Sequence, residues 1–374
     1  LLYFEENYGL TVEKKIIDAV AVIANENRYH PVCDFLNALQ WDGTERIRFC
    51  LHRFLGSDTD DYTYEALKLF LLGAISRAFK PGCKFEVMLC LVGGQGAGKS
   101  SFFRLLAVND DWFSDDLKKL DDENVYRKMQ GHWIIEMSEM IATANAKSIE
   151  EIKSFLSRQK ETYKIPYETH PADRKRQCVF GGSSNTLDFL PLDRTGNRRF
   201  VPVMVYPERA EVHILADEQA SREYINQMWA EAMEIYRSGN FRLRFSPAMN
   251  DYLKAHQKDF MPEDTKAGQI LDYLERYSGS MVCSKQLYKE ALGHDYDEPK
   301  QWELREINDI MNNAVTGWMA FSNPRYFPEP YRRQKGWERI RNDNEPDNSM
   351  DGFQEIPTEE MEQLGLPEEW LKQK

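Results

Sequence analysis

The stretch Phe85-Glu86-Val87-Met88-Leu89-Cys90-Leu91-Val92 runs directly into Gly93-Gly94-Gln95-Gly96-Ala97-Gly98-Lys99-Ser100. Its first half is a mostly apolar run of the length of a buried strand. Its second half fits glycine, four residues, then Gly-Lys-Ser, and residues 100–106 continue as a helix. A strand before and a helix after are the context in which this pattern cradles a polyphosphate. The glycines let backbone N–H groups curl round the anion, the helix start adds a favourable dipole, and the lysine places a cation on the outer phosphates. Gly93, Gly94, Gln95, Gly96, Ala97, Gly98, Lys99, Ser100 and Ser101 are therefore the expected nucleotide contacts, with the Ser100 hydroxyl a ligand for magnesium. A dinucleotide-binding turn is the nearest competitor, but the Lys-Ser pair and the spacing of the third glycine disfavour it.

Outward from this loop the pattern alternates. Further strand-length apolar runs are read at 132–135, 177–181 and 200–205, separated by helical segments, which is the signature of an α/β sheet domain. Upstream, residues 11–25 carry apolar residues at helical spacing (Val12, Ile16, Ala19, Val20, Ile23) behind a cap candidate, Thr11. A second helix over 64–79 is stopped by Pro81-Gly82. Downstream, helices are expected at 265–277, 284–292 and 303–314, followed by Trp318-Met319-Ala320-Phe321 and the basic stretch Tyr331-Arg332-Arg333-Gln334-Lys335-Gly336-Trp337. A helical pair and a basic hairpin suggest a winged-helix-like domain. The expected division is a helical region (1–80), an ATPase domain (81–245), a winged-helix-like domain (246–340) and an acidic, disordered tail (341–374). The chain does not begin with Met, so a preceding domain is an expectation too.

Beyond the loop, Trp133-Ile134-Ile135 ends in Glu136, with Glu139 three residues on. Nucleotide hydrolysis needs a carboxylate at a strand end to hold the metal and often a second to orient the attacking water. Glu136 and Glu139 are the candidates, with Glu136 beside Ser100 as a metal ligand. The run 177–181 leads into Gly182-Ser183-Ser184-Asn185, where Asn185 can sense the terminal phosphate. Arg198-Arg199 beside an apolar strand asks for an anion for each guanidinium, either a local acid or a phosphate across a subunit boundary.

The 48 Lys and Arg against 61 Asp and Glu give a net charge of −13, which excludes a surface that binds nucleic acid throughout. Residues 341–374 alone hold ten acids and three bases. By contrast, residues 153–176 hold seven bases and three acids, interleaved with Tyr163, Tyr167 and His170. Such a basic, aromatic segment suits a single strand of DNA, with Lys160, Lys164, Arg174, Lys175 and Arg176 as phosphate contacts. The six cysteines lack metal or redox spacing and fit a reducing cytoplasm. Neither a secretory signal nor a membrane-length apolar run is visible.

Taken together, the phrases Trp41-Asp42-Gly43-Thr44-Glu45-Arg46-Ile47, 91–103, 131–140, Ile152-Lys153-Ser154-Phe155-Leu156-Ser157 and Gly196-Asn197-Arg198-Arg199-Phe200 resemble the virulence-associated E family. That family, carried largely by phages and mobile elements, is related to superfamily 3 helicases of the AAA+ class. The resemblance implies an α/β P-loop NTPase core and a ring-forming, commonly hexameric motor using ATP and Mg2+. It implies Walker A roles for Lys99 and Ser100 and a Walker B role in the Glu136 region. Asn185 becomes the sensor, Arg198 or Arg199 an arginine finger acting on the neighbouring subunit, and the basic segment a hairpin in a central DNA channel. One departure is Lys164 where the family pattern has Arg, which keeps the charge but loses bidentate geometry. The expected function is DNA translocation and unwinding in replication of a phage or mobile element. The alternatives are a nucleotide-dependent switch or scaffold without helicase activity and, less favoured, a small-molecule kinase.

Overall fold

Five consecutive apolar residues, Met88–Val92, form strand β1, and all five are buried. A strand without polar alternation must be covered on both faces, as in a parallel sheet. In the computed structural model, which describes residues 2–117, 120, 125–139, 146–163, 172–192 and 197–340, this is so. The parallel partners are β2 (Phe113–Ser114), β3 (Ile134–Ser138), β6 (Val179–Ser184) and β7 (Phe200–Met204), in the order β2-β3-β6-β1-β7. Between β3 and β6 lie a helix, Ala146–Ser157, and an antiparallel hairpin of β4 (Lys160–Tyr163) and β5 (Ala172–Lys175).

Successive side chains of these strands serve two cores. Leu89, Leu91, Ile134, Val179, Val201 and Val203 pack with helices Ile47–Leu55, Asp61–Phe79, Lys99–Leu106 and Glu218–Ser238. Met88, Cys90, Ile135, Met137, Phe180 and Phe200 point to the other face, against Ile152, Phe155 and Phe260. The helix Asp61–Phe79 is capped by Asp60, whose carboxylate accepts from Thr63 N, and is buried nearly all round. It carries Arg77, whose guanidinium is buried and donates to Phe85 O and Cys178 O.

The expected strands are present with shifted ends, since side-chain pattern reports burial and not hydrogen bonding. The first long helix is Glu13–Glu26, with Val12 and not Thr11 at its cap position and no side-chain cap bond. It buries only Ile16, and Val20 and Ile23 are exposed. The chain divides into two compact units after Glu263, beyond the expected boundary at 245. The reason is local: Gln257 Nε2 donates to Asn197 O and Phe200 O at 2.8 and 2.6 Å, and Phe260 packs edge-on against Phe189. The residues from 31 to 79 likewise share one core with the sheet and are not a separate helical region.

The second unit starts at Asp264, which caps helix Thr265–Arg276. Next come β8 (Met281–Cys283), a short helix Ser284–Gln286 with a π turn Leu287–Ala291, and helix Gln301–Asn313. The strands β9 (Trp318–Ala320), β10 (Arg325–Phe327), β11 (Arg332–Gln334) and β12 (Gly336–Arg339) follow. β8, β12 and β9 make an antiparallel sheet, and β10 pairs with β11. Ile270, Leu274, Val282, Leu287, Ile307, Ile310 and Trp337 form its core. The tail, 341–374, lies outside the described residues.

One glycine fixes how the helix after the loop sits on the sheet. A Cβ at Gly181 in β6 would lie 2.4 Å from the ring of the fully buried Phe103. That ring has no room to retreat, so Gly181→Ala is expected to cost about 1–3 kcal/mol. Urea denaturation measures this, and an unchanged midpoint would refute the close packing.

Candidate functional site

The loop after β1 turns twice through left-handed backbone, at Gly96 (φ 81°) and Gly98 (φ 80°), where side chains with a Cβ are strained. Gly98 then caps helix Lys99–Leu106. Space above Gly94 and Gly96 is open, whereas Ala97 is buried beneath the turn. The loop thus presents backbone outward and anchors itself inward.

Lys99, only 7% exposed, folds over the loop. Its ammonium donates to Gly93 O (2.6 Å), Gly94 O (2.8 Å) and Asn185 Oδ1 (2.9 Å). Burial pushes its pKa below the ordinary lysine value, while Glu139 and then Glu136 act against that fall. Asn185 follows the carboxyl end of β6, the strand between the loop strand and the acid strand.

Glu136 is the third residue of β3 and has no exposed surface. Its Oε1 accepts from Ser100 Oγ at 2.8 Å and from Ser183 Oγ at 2.5 Å. Its Oε2 is buried with no protein partner. A buried carboxylate is costly unless its lone pairs are used, so this oxygen beside a serine hydroxyl fits a hard cation held by Ser100 and Glu136. Glu139 directly follows β3 with positive φ (53°), an uncommon conformation for glutamate. Its N–H donates to Ser183 O at 3.0 Å and its Oε1 accepts from Asn185 N at 2.9 Å. Lys99, Ser100, Glu136, Glu139 and Asn185 therefore converge at the carboxyl ends of β1, β3 and β6, the edge of a parallel α/β sheet where ligands bind. Gln95 and Ser100 are exposed on this edge and Ser101 is half-buried.

Arg198 and Arg199 lie elsewhere. They precede β7, and Arg199 O accepts from Met88 N at the start of β1. A five-residue strand spans roughly 16 Å, so these guanidiniums sit a strand length from their own loop. Both meet Glu86: Arg198 Nη2 at 3.0 Å from Oε1 and Arg199 Nε at 3.6 Å from Oε2. Ser157 Oγ donates to Glu86 and accepts from Arg199 Nε. Although partial burial acts to raise the Glu86 pKa, Ser157 and the two arginines hold it below the ordinary glutamate value.

The expected basic hairpin exists as β4–β5, pairing Lys160 with Lys175 and Glu161 with Arg174. Lys160 and Lys175 are exposed and Arg174 is half-buried; Lys160 pairs with Asp173. Arg176 departs from the expectation of a DNA-facing side chain. It is 3% exposed, ion-paired with Glu161, bonded to Phe155 O at 2.6 Å and stacked on Phe155 and Phe180. A side chain so enclosed does not offer its charge to a strand on the surface. Lys164, Tyr167 and His170 lie outside the described residues.

Sequence reasoning missed Ser183 as a partner of Glu136; its signal was a small polar residue at the end of an otherwise apolar strand. The Asp-Gly pair of Trp41-Asp42-Gly43-Thr44 reads as a tight turn, and the structure has one there, with Gly43 at positive φ (86°). Asp42 accepts both Arg46 Nη atoms at 2.7 Å and Thr44 N at 2.9 Å, and Arg46 together with Thr44 holds its carboxyl well below the usual range. No helix among the described residues is long and apolar enough to cross a membrane.

No curated protein matches the chain. Among solved structures, the apo NrS-1 C-terminal region (305–718) aligns at 13% identity and TM-score 0.46, over 82% of this chain and 78% of that one. The A form of the apo NrS-1 C-terminal region aligns at 14% identity and TM-score 0.48 over the same shares. The sequence model of the virulence-associated protein E-like domain matches residues 36–262, which is more than half of the chain. The chain therefore belongs to the virulence-associated protein E-like domain family.

Proposed function

We propose that the chain is a magnesium-dependent ATPase of the P-loop AAA+ type that assembles as a ring and moves along DNA, unwinding it during replication of a phage or mobile element in the cytoplasm. The observation that carries this reading is the meeting of Lys99, Ser100, Glu136, Glu139 and Asn185 at one edge of a parallel sheet ordered β2-β3-β6-β1-β7. The second unit, a helix, a strand, two helical segments and four further strands in chain order, is read as winged-helix-like.

The chemistry follows from the side chains. Lys99 exchanges its carbonyl partners for oxygens of the β- and γ-phosphates, and the loop amides hold the rest of the triphosphate. Ser100 and Glu136 hold magnesium, which when bound offsets charge on the phosphates. Glu139 orients a water for attack on the γ-phosphorus and takes its proton as the bond to the bridging oxygen breaks. Asn185, bonded to both Lys99 and Glu139, registers whether the terminal phosphate is present. Because Arg198 and Arg199 are remote from their own loop, either can stabilise the transition state only in a neighbouring copy, which favours a ring, as a hexamer. Family resemblance supports the replication role.

Three outcomes test this. Lys99→Ala should lower ATP turnover at least about 100-fold in a phosphate-release assay, and normal turnover would remove the loop from the reaction. Subunits carrying Lys99→Ala, mixed with subunits carrying Arg198→Ala or Arg199→Ala, should regain activity if sites are shared; no recovery with either arginine would count against a ring. Glu136→Gln should abolish turnover yet raise the stability of the nucleotide-free protein by about 1 kcal/mol, because it removes a buried charge. A fall in its melting temperature would make Glu136 a structural residue. A switch or scaffold is distinguished by single-stranded DNA: the motor's hydrolysis is stimulated, with stimulation fading as salt rises, and a switch is indifferent.

A further inference from the structure

A cavity of about 680 Å³ opens at the amino ends of β2, β3 and β6, the sheet edge opposite the phosphate loop. Its volume is in the range of small-ligand sites. The residues just before those strands form its floor, the segment 28–32 forms one wall, and the base of the β4–β5 hairpin forms another. None of the hydrolysis residues reaches it.

The lining is positively charged in a chain of net charge −13. Its ionised groups are Arg28, Arg174, Lys175 and Arg176 against Glu161 and Asp173. Both acids are already engaged, Asp173 by Lys160 outside the lining and Glu161 by the enclosed Arg176, which leaves the exposed Arg28 and Lys175 among the cations that set its field. Asp173 pairs with Lys160 and accepts from Thr162 Oγ1 at 2.6 Å, and Glu161 meets Arg158 at 3.6 Å besides Arg176. The field in the cavity therefore attracts anions.

Rings stand among these cations. Tyr29 is 81% exposed next to Arg28, and Tyr126 accepts from Arg158 Nη1 at 2.5 Å. His132 Nδ1 is buried without a protein partner. His30 ties the wall to the floor: its Nδ1 accepts the N–H of Cys33, and its Nε2 lies 3.0 Å from Gln177 Oε1. An inorganic anion would use the cations and leave the rings and most of the volume unused. An acidic peptide would leave the rings unused as well. A nucleotide uses both, with phosphate on Arg or Lys and base on an aromatic face.

We infer that this cavity is a second nucleotide-binding site, which holds a nucleotide unit of single-stranded DNA with its phosphate on Arg28 and Lys175 and its base on Tyr29. The inference rests on the DNA-motor reading and deepens it. Lys175 belongs to the hairpin, so a strand that follows the hairpin passes this opening. A free nucleotide shares the chemistry and is the other source.

The test uses the full chain with a non-hydrolysable ATP analogue and a labelled oligothymidylate whose binding is followed by fluorescence anisotropy. Arg28 and Tyr29 are exposed, so Arg28→Ala and Tyr29→Ala leave the fold intact. Each should weaken binding about 5- to 100-fold, and only Arg28→Ala should lower the salt dependence, by about one phosphate contact. An oligonucleotide with 5-iododeoxyuridine should crosslink to Tyr29. If Lys160→Glu, on the hairpin outside the cavity, weakens binding while both cavity variants bind like the parent, the inference falls and the motor reading stands. Should thymidine monophosphate bind in an Arg28-dependent way while the oligonucleotide does not, a free nucleotide is the occupant and the strand is excluded. Binding of neither probe would overturn the cavity site and the DNA-motor reading together.

Discussion

The structure turns on a carboxylate that has no contact with solvent. Glu136 sits inside the sheet on β3, and two hydroxyls, from Ser100 and Ser183, satisfy one of its oxygens. A lone buried carboxylate is among the most expensive groups a fold can hold. Its position obliges β6 to lie between β3 and β1, because only then does Ser183 reach it from one side and Ser100 from the other. β6 does three things at once. Gly181 makes room for Phe103 and so seats the helix that carries Lys99, Ser183 bonds the carboxylate, and the chain just beyond supplies Asn185 to Lys99. A protein selected for stability alone would fill this position with an apolar side chain. Retaining a charged one with an unused oxygen costs stability.

Because all five strands run parallel, the sheet has two chemically distinct edges. At the carboxyl edge, loop amides, one lysine and two glutamates gather. At the amino edge lie the arginines before β7 and the cavity bounded by the hairpin base. The first edge is suited to a triphosphate, and the second is rich in guanidinium groups that a single copy cannot bring to its own loop. This polarity, more than any single motif, favours a reading in which neighbouring copies complete each other's sites. Glu86 holds Arg198 and Arg199 together, which gives the pair a defined position.

The turn from β1 into helix Lys99–Leu106 was legible because glycines stand where the backbone must turn, at Gly96 and Gly98, directly after a buried strand. Glu136, Glu139 and Asn185 were legible because strand ends in an α/β sheet point to one edge. Ser183 and Glu86 were not, since each acts through a partner tens of residues away whose position depends on strand order. Arg176 shows the complementary failure. Within a run of basic residues it reads as one more surface charge, yet it leaves the hairpin toward the core, where Glu161 and two phenylalanine rings enclose it. The domain boundary was displaced for a similar reason, as Gln257 and Phe260 are tied to the sheet by long-range contacts that composition does not record.

Lys99 shows why the site residues cannot be treated as independent. Burial alone would depress its pKa and weaken the cation that a phosphate needs. Glu139 and Glu136 oppose that depression, so the two acids favour the lysine's charged form. Asn185 accepts from the ammonium through its side chain and donates to Glu139 through its backbone, linking the same three groups by hydrogen bonds. Removing any one of them alters the charge or orientation of the others, and the losses from single and double substitutions will not add. Through these contacts the loop is linked to β6, the strand that follows the hairpin in the chain.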